Sequence, residues 1–133
     1  MIRKILAGFM VLILIGWVSV FFIPEMNYRE SDFIRYNFFT PSEIKNIPRI
    51  SDEYHFEYVP EGVDRKSSSS IIRFCNVGNK EKAYETLQAY ASKLSIPMKY
   101  DYSPEDEQSE SVFYVVNGSG VYWASCVSVI FDK

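Results

Sequence analysis

The sequence predicts an α+β fold: an N-terminal single transmembrane helix followed by a small ββαβββ domain with one helix packed on a mostly antiparallel sheet. Three observations predict it. Residues 5–23 carry no charge over a length suited to crossing a bilayer. Beyond Pro24, short segments alternate apolar and polar residues with period two, the pattern of half-buried strands. Among them lies one stretch, residues 80–94, whose apolar residues return at three- and four-residue spacing, the pattern of an amphipathic helix.

Taken in order, the apolar segment comes first. As a helix rising about 1.5 Å per residue, residues 5–23 would reach roughly 28 Å, close to the hydrocarbon thickness of a bilayer. A cleaved signal peptide would need small residues near its cleavage site. The stretch from Trp17 to Ile23 is bulky at nearly every such position. A core helix would find too little protein to cover it. The expectation is an uncleaved signal anchor over residues 1–23, with the membrane met through residues 5–23. Arg3 and Lys4 precede the span, which puts the N-terminus in the cytoplasm and the C-terminal domain outside. The compartment expected is the bacterial inner membrane, with a periplasmic or extracellular domain.

Residues 24–50 are expected to form a membrane-proximal stalk. Its aromatics, among them Tyr28, Phe33, Tyr36, Phe38 and Phe39, suit either the bilayer surface or one edge of the domain. Within it, Thr40, Pro41, Ser42 and Glu43 read as a capping box, opening a short helix that Pro48 curtails. The extracytoplasmic domain is expected over residues 51–133. In residues 53–59, Tyr54, Phe56 and Tyr58 share one face and His55 and Glu57 the other, a strand with one buried side. Residues 64–70, rich in serine, read as a solvated loop leading to a second strand at 71–77 and an antiparallel hairpin.

Asn79 is placed to cap the helix, whose stripe is Ala83, Tyr84, Leu87, Tyr90, Ala91 and Leu94; Ser95, Ile96 and Pro97 end it. A third strand is expected at 98–102 and an acidic loop at 103–111. Strands at 112–116 and 121–131 flank Asn117, Gly118, Ser119 and Gly120, a tight-turn signal. The last strand is β-branched and apolar on both faces, so its place is central.

Composition narrows the function. All 17 acidic residues follow Pro24, against 12 of the 14 basic ones, so the outer part has a net charge of −5. That balance argues against nucleic acid, whose phosphates need a basic face. His55 is the sole histidine, which excludes a histidine-based metal cluster, and it faces the polar side of its strand. No constellation of residues specifies an enzyme, a cofactor or a metal. Glu105, Asp106, Glu107 and Glu110 lack the ligand pattern of a calcium loop; they form either a solvated loop or a patch that steers a basic protein partner. Cys75 and Cys126 are either one disulfide or two separate small buried residues. These observations lead to a protein-binding domain at the membrane, in its most specific form an immunity or inhibitor protein against an envelope-acting toxin or enzyme. The alternative is a structural subunit of an envelope assembly, such as a secretion or division complex.

Overall fold

Residues 2–21, 23–62, 67–100, 111–118 and 125–132 are described by the structure, a computed structural model. Its first element is helix α1 (Ile2–Phe21). The side chains of α1 are described at Leu6 and over residues 8–17, where every one is exposed. Among the described residues no helix is long and apolar enough to cross a membrane. The span expected from the sequence is therefore not seen as such.

The rest is a six-stranded mixed sheet with short helices. Strand β1 (Met26–Tyr28) is followed by α2 (Phe33–Phe39) and α3 (Ser42–Lys45), then by β2 (Glu53–Val59) and β3 (Ser69–Cys75). Helix α4 (Lys80–Lys93) precedes β4 (Met98–Tyr100), β5 (Val112–Asn117) and β6 (Val127–Asp132). The strand order is β1-β2-β3-β6-β5-β4, antiparallel throughout except for the parallel pair β4 and β5. The expected hairpin of β2 and β3 is present, and β6 is central, between β3 and β5.

One face of the sheet carries the main core. Phe56, Ile72, Val129 and Val115 follow one another across paired strands on that face, with Phe74, Val127, Phe131 and Phe113 beside them. Ala83, Leu87 and Ala91 of α4 pack there, joined by partly buried Tyr84 and Tyr90. Leu94, expected in the same stripe, is 39% exposed because it is the C-cap and already turns away. Asn79 caps α4 by accepting the Lys82 amide at 3.0 Å. At the other end the Ile96 amide donates to the Ala91 carbonyl and the Ser95 amide to that of Ser92, a Schellman closure. It puts Ser95 at φ 57°, a left-handed position that glycine would occupy at less cost.

Several expectations need correction. The segment read as a stalk is built into the domain. Its residues 26–28 extend the sheet beyond β2, and Ile44 and Ile47 enter the core. Thr40 is not a cap: Pro41 holds the N-cap position of α3, and the Thr40 hydroxyl is buried against Tyr28 Oη at 2.9 Å. Ser69 and Ser70 are strand rather than loop, and their buried hydroxyls donate to Asp132 Oδ1 and the Phe39 carbonyl. The turn expected at 117–120 falls partly outside the described residues. Asn117 pairs with Val127 and the Gly118 amide donates to the Cys126 carbonyl, so the ladder runs on through Asn117. Strand β6 starts at Val127, and residues 119–124 lie outside the described residues.

Candidate functional site

The second face of the sheet divides by chemistry. Across β3, β6 and β5 it carries buried Ile71, Val112 and Tyr114 together with the buried serines Ser69 and Ser128. Toward the β1 edge it is polar, with Asn27 on β1 and Glu53, His55 and Glu57 on β2. Alternation along β2 sends His55 and Glu57 to this face, and the pairing of His55 with Arg73 brings the guanidinium diagonally opposite Glu57. Arg73 then grips the carboxylate with both ends of its fork, Nε to Oε1 at 2.9 Å and an Nη to Oε2 at 3.0 Å. His55 Nε2 stands 3.0 Å from the same Oε1.

These three side chains are 18–27% exposed, half-sheltered from water. Burial alone would push the Glu57 carboxyl up. The hydrogen bonds from His55 and Arg73 and the charge of the guanidinium outweigh it and hold the group at about 2. Glu57 therefore stays ionised at any physiological pH.

The triad opens on a groove of about 470 Å³ lined by Asn27, Arg29, Glu53, His55, Glu57 and Cys75, among others. A second hollow of about 430 Å³ shares Arg29, Glu53 and Tyr54 and extends to Glu30 and Asp52. Together they run beside β1, whose far side pairs with no other strand of the sheet. The floor is braced covalently. Cys75 at the end of β3 is bonded to Cys126, one residue before β6, with Cα atoms 4.0 Å apart. The Ser51 hydroxyl donates to the Cys75 carbonyl, and the Asn76 amide to Glu53.

Above the groove's end, Arg49 binds Glu30 at 2.5 Å and lies over the rings of Tyr54 and Phe56 at 4.8 and 5.6 Å. It ties the segment after α3 to the turn before α2. The arrangement holds charge in fixed positions. The Cys75 sulfur is spent in the disulfide, and Glu57 is engaged in three hydrogen bonds with His55 and Arg73. Among the described residues, no cluster of three His, Cys, Asp or Glu side chains stands close enough to hold a metal ion.

Of the residues singled out from sequence, Cys75 and Cys126 are brought together. Glu105, Asp106, Glu107 and Glu110 lie outside the described residues. Arg73 and Arg49 were missed. The i, i+2 placement of His55 and Glu57 was visible in the alternation, but the partner that completes the triad depends on strand register. Compared with known proteins, the chain matches no family model, no curated protein and no solved structure.

Proposed function

We propose that this chain is a membrane-anchored protein-binding module whose folded part lies outside the cytoplasm, and that it acts by contact rather than by turnover. In its most specific form it is an immunity or inhibitor protein that neutralises a toxin or enzyme working in the envelope. The observation that carries this reading is the groove beside β1. Its His55, Glu57 and Arg73 side chains are held by mutual bonding on a disulfide-braced sheet, the condition under which a polar surface recognises a partner with little reordering cost. The disulfide favours an oxidising compartment. The uncharged run of residues 5–23 favours retention at a membrane, with Arg3 and Lys4 on the cytoplasmic side. The net charge of −5 beyond Pro24 favours a basic partner.

The test is inhibition. The tagged full chain, extracted in mild detergent at low salt, is used to capture proteins from envelope extract. A captured enzyme is then assayed with increasing amounts of the purified chain. The reading expects a basic protein that elutes with salt and loses its activity at stoichiometric addition. A captured enzyme that keeps full activity, or an envelope extract that yields no partner at all, overturns it.

A further inference from the structure

Helix α2 carries apolar residues both toward the core and toward the outside. Tyr36 and Phe39 turn inward and pack against the core. Phe33, Ile34 and Phe38 turn outward and are 76%, 68% and 81% exposed. At 100° per residue these three, together with Asn37, occupy one continuous arc. The polar group on that arc is already satisfied: the Asn37 amide donates to the Phe33 carbonyl at 2.8 Å, and its side-chain oxygen accepts from Lys45 Nζ. Cations stand around the arc. Lys45 lies over the Tyr36 ring at 5.2 Å, and Arg35 pairs with Asp32 at 3.2 Å.

We infer that this outward face of α2 is a lipid contact, an interfacial segment that beds the domain onto the outer leaflet. The inference rests on the anchoring reading above, and the chain itself supplies the reason for choosing lipid. The uncharged run ends at Ile23, ten residues before Phe33, a reach of no more than roughly 35 Å even if fully extended. With that run inserted, α2 is held beside the membrane surface throughout the protein's life. Phenylalanine and isoleucine facing outward, rimmed by Lys45 and Arg35 at the depth of the lipid phosphates, match an in-plane interfacial helix.

A second copy of the chain is the weaker occupant. Three side chains offer roughly 400 Å² per copy, so a symmetric pair would bury about 800 Å² in total, short of the roughly 1,200–2,000 Å² of a stable interface. Because Tyr36 and Phe39 fix the rotation of α2 in the core, lipid contact at Phe33, Ile34 and Phe38 also sets the tilt of the whole sheet on the bilayer.

The experiment uses the full chain in vesicles of phosphatidylethanolamine and phosphatidylglycerol. Photo-crosslinking variants are made one at a time at exposed positions: Ile34→benzoylphenylalanine, Phe38→benzoylphenylalanine and, as the reference on α4, Glu85→benzoylphenylalanine. Flotation is measured first and adducts are identified by mass after illumination. The inference expects the chain to float with the vesicles and lipid adducts at positions 34 and 38 to exceed those at 85 by roughly tenfold. A floating chain with no such excess, or with adducts to a second copy instead of lipid, overturns the inference and leaves anchoring intact. A chain that does not float overturns both.

Discussion

Replacing Glu57 by glutamine removes the charge that His55 and Arg73 share while keeping the shape of the side chain. The structure sets the size of the effect. A carboxyl moved from its ordinary 4.5 to about 2 is worth about 3 kcal/mol of folding stability, a ceiling because the group is partly exposed. The sign follows from the direction of the shift. The folded carboxyl binds its proton less readily than the unfolded one, so the contribution is complete above about pH 5 and is lost as pH falls toward 2. By pH 3 about 2 kcal/mol of it is gone.

Urea unfolding of the full chain in detergent, followed by circular dichroism, should therefore show Glu57→Gln less stable than the parent by about 2–3 kcal/mol at pH 7. At pH 3 the gap should close to about 1 kcal/mol. An equal gap at both pH values would refute the reasoning, since it would mean that the carboxylate is not held ionised by its neighbours.

Other perturbations test other links. Cys126→Ser opens a cross-link between residues 51 apart, and loop-closure entropy sets the loss at up to about 4 kcal/mol; denaturant midpoints with and without reductant measure it, and a parent unaffected by reductant would contradict the bond. Ile44→Ala, in a helix outside the sheet but fully buried, should cost about 2–4 kcal/mol in the same unfolding assay, whereas a separate stalk would leave stability unchanged. Asn79→Ala should cost about 1 kcal/mol through loss of the α4 cap. Ser95→Gly should do the reverse and stabilise by about 0.5–1 kcal/mol, raising the thermal midpoint, because φ 57° suits glycine.

Local signals were legible where local physics decides. The alternation of residues 53–59, the Asn79 cap and the Ala83, Leu87, Ala91 stripe each follow from period and capping chemistry, and each is found in place. The central position of β6 was readable from its largely apolar, β-branched composition, although one of its faces carries Ser128 and Asp132. What failed were competitions settled by tertiary partners. Thr40 looked like a cap but is claimed by Tyr28; Ser69 and Ser70 looked solvated but have acceptors in Asp132 and Phe39. Asn117 and Gly118 carry a turn signature, yet the ladder continues through Asn117 because Val127 stands opposite.

The stalk was misjudged for a similar reason. A three-residue strand such as β1 has no periodicity of its own and exists because β2 offers it an edge. The candidate site was half legible. His55 and Glu57 were placed on one face, but Arg73 enters only through the register of β2 and β3.

The central claim is that the folded part stands outside the cytoplasm on an uncleaved apolar leader. Protease treatment of right-side-out spheroplasts producing the full chain with a C-terminal tag tests it most directly, with the mature N-terminus sequenced from the same membranes. The account predicts that the tag and domain are digested in intact spheroplasts and that the mature chain still begins before residue 5. A domain protected until the cells are broken open, or a mature chain beginning near Pro24, would contradict it.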